Sequence, residues 1–238
     1  MIYAFWNNKG GTGKTSLIFQ ALCRYAELHS NQRILAIDLC PQANLSELLL
    51  GGLEGNGSDK LNELYDTNGR VSIGGYFQDR LPTPFNAPSI DPDHYLCQPW
   101  KLNPHIPTNI DLLAGDRIVE LQSNAISSLS NTQIPGIDTW LKVIDWLKDF
   151  IDATLNRYQT IFIDTNPSFS MYTQIALSVA NRLVLPVMAH DSSRRAVRNA
   201  FTLVQGIQLP SAIYDQFSFS RKLKNASRPT RVRHLGIS

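Results

Sequence analysis

The sequence predicts an α/β protein: a mostly parallel sheet with helices on both faces. Three observations lead there. Apolar runs of four or five residues recur along the chain, each ended by an acid, an amide or a proline. Stretches with apolar residues at helical spacing separate these runs. Within the runs apolar residues follow one another rather than alternate, the pattern of strands buried on both faces.

Ile2–Trp6 is the first such run and stops at Asn7-Asn8-Lys9. Ser16–His29 then sets Leu17, Ile18, Ala21, Leu22, Tyr25 and Leu28 on one helical face. Ile34–Ile37 is a second strand, closed by Asp38, and Thr160–Ile163 and Leu183–Val187 repeat the pattern. Ile137–Leu155 reads as one amphipathic helix, with Trp140, Leu141, Ile144, Leu147, Ile151 and Leu155 inward. Ser193–Gln205 reads as another, with Val197, Ala200, Phe201 and Val204 inward. Residues 51–109 are rich in Gly, Pro, Asn and Asp; only Leu61–Tyr65 has helical spacing, and the stretch reads as a long irregular surface connection. The expectation is one domain over residues 1–238.

The composition fits a packed core: of 238 residues 43% are hydrophobic and 18% charged. No apolar run approaches the ~18 residues of a membrane span, and the N-terminus lacks the pattern of a signal peptide. Cys23, Cys40 and Cys97 are odd in number and widely spaced, which suits neither a disulfide framework nor a cysteine metal site. A soluble cytoplasmic protein is expected. The net charge of +2 is unevenly placed. Residues 221–238 hold six of the 22 basic side chains and no acid, leaving 16 basic against 20 acidic side chains in the preceding 220 residues. This basic end suits a polyanion such as nucleic acid, or is a solvated surface.

The segment Trp6-Asn-Asn-Lys-Gly-Gly-Thr-Gly-Lys-Thr-Ser16 lies between the first strand and the first helix. Gly10, Gly11 and Gly13, with Thr12 among them, allow the backbone to bring N–H groups against phosphate oxygens. The following helix aims its positive end at the same point. Lys14 suits the β- and γ-phosphates, the Thr15 hydroxyl suits Mg²⁺, and Ser16 reaches the phosphates from the helix start. The ordinary pattern of such loops has glycine where Asn8 stands, and Lys9 follows it, so two lysines flank one loop.

Lys9-Gly-Gly-Thr-Gly-Lys-Thr15 resembles the deviant Walker A motif of the ParA/MinD superfamily of ATPases, P-loop NTPases of the SIMIBI type. Asp38-Leu-Cys-Pro-Gln-Ala-Asn-Leu-Ser46 resembles the switch I segment, in the form found in the ParA branch. Ile161-Phe-Ile-Asp-Thr-Asn-Pro167 resembles Walker B with switch II. Asn109–Ala114 and Leu183–Val187 resemble two further strands of the family. The resemblance implies an ATP-dependent homodimer with nucleotide between the subunits. In it Lys9 would reach the partner's phosphates, Lys14 and Thr15 would serve the nucleotide in cis, and Thr15, Asp38 and Asp164 would hold Mg²⁺ and its waters. The ParA branch positions DNA or protein cargo by binding DNA non-specifically as the ATP dimer, and a partner protein stimulates hydrolysis. The location implied is therefore cytoplasmic, and nucleoid-associated if the chain binds DNA. Arg194, Arg195 and Arg198, with Arg221, Lys222 and Lys224 in the basic end, are the DNA-contact candidates.

Cys40 departs from the family, which has there the switch I aspartate that orients the attacking water. A thiol is a weak acceptor, so the reading favours slow or absent hydrolysis with the ATP-dependent dimer kept. The chain also stops at His234–Ser238, where the family continues with a strand and adenine contacts. Rival readings are a nucleotide-gated scaffold or regulator that does not hydrolyse, and a P-loop kinase or synthetase with the 194–198 arginines in a lid. A membrane-bound relative would need an apolar helix face that residues 221–238 lack.

Overall fold

The computed structural model describes residues 1–67, 69–86, 89–187 and 191–226, and their side chains apart from those of 191–193. The chain runs β1 (Ile2–Phe5), α1 (Lys14–Leu28), β2 (Ile34–Asp38), α2 (Asn44–Leu50), α3 (Gly57–Asp66), α4 (Ile73–Arg80), β3 (Leu96–Cys97), β4 (Ile110–Leu113) and α5 (Ile118–Asn131). It continues through α6 (Thr139–Ile144), α7 (Trp146–Ala153), β5 (Thr160–Asp164), α8 (Met171–Val179), β6 (Arg182–Val184), α9 (Asp191–Gln205) and α10 (Phe219–Asn225). One sheet has the order β3-β4-β2-β5-β1-β6. All neighbours are parallel except β3, which lies antiparallel to β4. The α/β, mostly parallel class expected from the sequence is the one found.

Successive strand residues point to opposite faces, so the sheet has two cores. Phe5, Ile34, Ala36, Ile110, Leu112 and Phe162 pack with Ile18, Leu22 and Ala26 of α1, with α2, and with Leu61 of α3. Ala4, Leu35, Ile37, Leu113, Ile161 and Ile163 pack on the other side, against helices that include α4, α5, α7 and α8. Each face buries apolar area at roughly 25 cal/mol per Å², which explains why the strands read as continuous apolar runs.

Several expectations need correction. Residues 51–109 carry more than the helix expected at Leu61–Tyr65: α3 and α4 pack on opposite faces of the sheet, and β3 adds an edge strand. The helix expected over Ile137–Leu155 is two, meeting at Asp145 (φ −83°, ψ −5°). Leu155, expected inward, is 86% exposed and has φ +52°. On α1 the buried stripe is Lys14, Ile18, Leu22 and Ala26, whereas Leu17 and Leu28 face solvent. The last expected strand stops at Val184, short of Pro186. Helices α2, α5 and α8 lie where no helix was expected. His234–Ser238, together with the basic residues Arg228, Arg231 and Arg233, lie outside the described residues.

Candidate phosphate-binding site

The loop between β1 and α1 is anchored near its start. Asn7 is buried; its amide donates to the Pro186 carbonyl and its Oδ1 accepts from Lys9 N (3.0 Å). Gly11 (φ +70°) and Gly13 (φ +73°) hold the left-handed backbone that favours glycine. A Cβ at either would meet nothing within 4 Å, so the backbone there faces open space. The first helical hydrogen bond runs from Leu17 N to Gly13 O (2.9 Å). A cavity of about 390 Å³ opens over the loop, lined by residues 9–16, by Cys40, Gln42 and Asn44 after β2, and by Asn166 and Pro167 after β5. Three βα connections thus converge at the carboxyl ends of parallel strands, where open α/β sheets take their ligands.

The two aspartates close adjacent strands. Asp38 ends β2, Asp164 ends β5, and the two are register partners with no exposed surface. Asp164 accepts from the Lys14 ammonium at Oδ1 and from the Thr15 hydroxyl at Oδ2 (3.1 Å). Asp38 has no ion-pair partner among the described residues and accepts from Cys40 N (3.0 Å), Ser46 N (3.0 Å) and the Ser46 hydroxyl (2.9 Å). Burial, with Asp164 beside it, pushes the Asp38 carboxyl up to about 7 against the opposing pull of these bonds. A cation placed beside the two carboxylates would favour the ionised form of Asp38. Among the described residues no group of three or more His, Cys, Asp or Glu is arranged to hold a metal. A hydroxyl and two carboxylates are hard oxygen donors that fit Mg²⁺, which takes one or two carboxylates and completes its shell with phosphate oxygens and water.

Cys40 is 7% exposed on the cavity wall. Burial foremost, with the charge of Asp38, pushes its thiol up to about 12, so it is neutral at ordinary pH. Lys9 is exposed at the cavity rim. The structure thus gathers Lys9, Gly10, Gly11, Thr12, Gly13, Lys14, Thr15, Ser16, Asp38, Cys40 and Asp164 in one region.

The basic candidates lie apart from that cavity. Arg194, Arg195 and Arg198 are exposed on α9, and α10, which packs on α9, carries Arg221, Lys222 and Lys224. Lys222 sits over the Trp140 ring (5.2 Å), and Arg221 is 3.8 Å from Asp215. Phe219 and Leu223 of α10 are buried, an apolar contact that the basic end alone does not suggest.

Residues absent from the sequence reading of the site are Asn7, Ser46, Asn166 and Gly115. A Cβ on Gly115 would come within 2.8 Å of Asp38 Cγ. Such an approach of the segment after β4 to the end of β2 has no local sequence signal.

A family model described as AAA domain matches residues 1–213. The chain belongs to this family, within the ParA/MinD superfamily of deviant Walker A P-loop ATPases. It is 48% identical over 182 residues to the virulence plasmid ParA family protein pGP5-D of Chlamydia muridarum, covering 76% of this chain and 53% of that protein. It is 28% identical over 204 residues to the cell division protein PomZ of Myxococcus xanthus, covering 86% of this chain and 51% of that protein. The chain spans about half the length of these ParA-type relatives. Its fold is shared by a putative plasmid partition protein of Borrelia burgdorferi bound to AMPPNP (TM-score 0.59, 20% identity, 87% of this chain and 69% of that one). It is shared also by apo McdA of Cyanothece (TM-score 0.60, 17% identity, 87% and 66%). Among the described residues no helix of this ParA/MinD member is long and apolar enough to cross a membrane.

Proposed function

We propose that this ParA-type chain is an ATP-dependent dimerising switch that positions or partitions DNA or protein cargo. One observation carries the reading: Lys9–Ser16 line a single cavity at the carboxyl ends of parallel strands, and beneath its Lys14 and Thr15 lie the buried Asp164, which accepts from both, and its register partner Asp38. The glycine loop would take the phosphates on its backbone N–H groups. Lys14 would exchange Asp164 for β- and γ-phosphate oxygens, a charge-assisted contact of the same kind. Thr15, Asp38 and Asp164 would hold Mg²⁺, which when bound supplies charge neutralisation for the phosphates. Lys9, at the rim, would reach the nucleotide of a second copy. The exposed arginines of α9 and the basic residues of α10 would meet the DNA backbone in the dimer, and a partner protein would set the rate of hydrolysis.

Cys40 favours a second reading on a specific observation: a neutral thiol lines the cavity where the resemblance implies a water-orienting carboxylate. In that reading the dimer forms with ATP but turns over slowly or not at all, and the protein acts as a nucleotide-gated scaffold or regulator.

Light scattering with and without Mg·ATP tests the switch, and phosphate release with ATP and DNA separates the two readings. ATP-dependent doubling of mass is the expected result. A protein that neither binds ATP nor changes its oligomeric state with it overturns both readings.

A further inference from the structure

Ser46 occupies an unusual place beside Asp38. It lies in α2, eight residues after Asp38 and fully buried, and both its backbone N–H and its hydroxyl donate to Asp38 Oδ2 (3.0 and 2.9 Å). Its hydroxyl also accepts from Gly115 N, just beyond β4, at 2.8 Å. A serine hydroxyl has one hydrogen. With the Gly115 N–H filling an acceptor site, that hydrogen is directed at Asp38. The Cys40 N–H takes a site on Oδ1. Three of the roughly four acceptor sites of the carboxylate are thereby filled from the protein, and the remaining one belongs to Oδ1. Gly115 packs against the same carboxylate so closely that a Cβ would lie 2.9 Å from Oδ2. The carboxylate is thus clamped by donors from the segment after β2 and by the backbone after β4.

We propose that Ser46 is a positioning residue for the divalent cation of the nucleotide site, acting through Asp38. By fixing Oδ2 it presents Oδ1 to Mg²⁺ or its waters in one orientation, so that the carboxylate need not be ordered when the cation arrives. Groups that orient a metal's ligands commonly matter to affinity by about 10–100-fold when removed. The inference rests on the nucleotide reading given above.

The test is calorimetry of ATP binding in Mg²⁺ and in EDTA for the unaltered protein, Ser46→Ala and Ser46→Cys. Cysteine fills the space that alanine leaves empty and is a poor donor, so it loses the hydroxyl's hydrogen bond to Oδ2 without opening a cavity; the backbone N–H of residue 46 still donates in both variants. Both variants are expected to lose about 10–100-fold of the affinity that Mg²⁺ adds, with affinity in EDTA unchanged. Thermal unfolding without nucleotide runs alongside. A loss confined to Ser46→Ala, or an equal loss in Mg²⁺ and EDTA, marks a packing role and overturns the proposal. An undiminished magnesium effect in both variants overturns it as well and leaves the nucleotide reading standing. No magnesium effect in the unaltered protein overturns the nucleotide reading and this inference together.

Discussion

Lys14, which lines the cavity over the glycine loop, forms an ion pair with Asp164 beneath it, both side chains almost fully removed from solvent. The lysine proposed for phosphate is thus held by the carboxylate proposed for the cation, so in the proposed function nucleotide and Mg²⁺ would exchange partners for both.

Lys14→Ala is expected to have two effects. Nucleotide binding is lost, because the loop loses its cationic anchor. The nucleotide-free protein is also destabilised, by about 3 kcal/mol, because Asp164 keeps a buried charge without its counterion. Calorimetry with ATP and urea unfolding without it read the two separately; full stability in the variant would mean that Asp164 finds another partner or a proton.

Lys9→Ala is expected to bind ATP much as the unaltered protein does and to fail to dimerise, since the target of Lys9 is proposed to lie in the second copy. Light scattering at saturating Mg·ATP decides it. A variant that dimerises fully removes Lys9 from the interface.

DNA binding is expected only with ATP, without sequence preference, and with a steep fall in affinity as salt rises, because it would rest on lysine and arginine against phosphates. Mobility shifts of random duplex at two salt concentrations test this. Arg194→Ala with Arg195→Ala and Arg198→Ala should flatten the salt dependence by about one unit of slope for each phosphate no longer neutralised. Equal retention with and without ATP would sink the switch.

Cys40→Asp is expected to raise phosphate release, by as much as ~10²–10⁴-fold if the missing group is a positioned base and nothing else limits the rate. It also adds a third acid beside Asp38 and Asp164, so the nucleotide-free variant should unfold at lower temperature and recover with Mg·ADP. Brisk turnover in the unaltered protein, unchanged by the substitution, would discard the non-hydrolysing reading.

The legible parts of the sequence were those whose physics is local. The glycine loop, the apolar strands and the aspartates that end them depend on neighbours within a few residues. The helices that went unread are those whose stability comes from elsewhere. Helix α4 has glycines at 74 and 75, poor helix formers, yet Ile73, Tyr76 and Phe77 anchor it in the core, and the Ser72 hydroxyl caps it by accepting from Gly75 N (3.1 Å). Arg80, at its end, is 2% exposed and pairs with Asp149 of α7 (2.8 Å), 69 residues away. The break at Asp145 was hidden because apolar spacing continues through it. Ser46 stood inside a motif already read, but its bond to Gly115 joins residues 69 apart in sequence.

The outermost strand β3 is two residues long, with Pro92 and Pro99 in the 3₁₀ turns on either side. Proline cannot donate a backbone hydrogen bond, and so short an edge offers an incoming strand almost nothing to pair with. The irregular stretch before β4 therefore also works against association: it covers the Leu112–Leu113 end of β4 and so limits the edge-to-edge joining by which exposed sheets aggregate. Without β3, the backbone of Leu112 and Leu113 that it now pairs would stand open as a sheet edge.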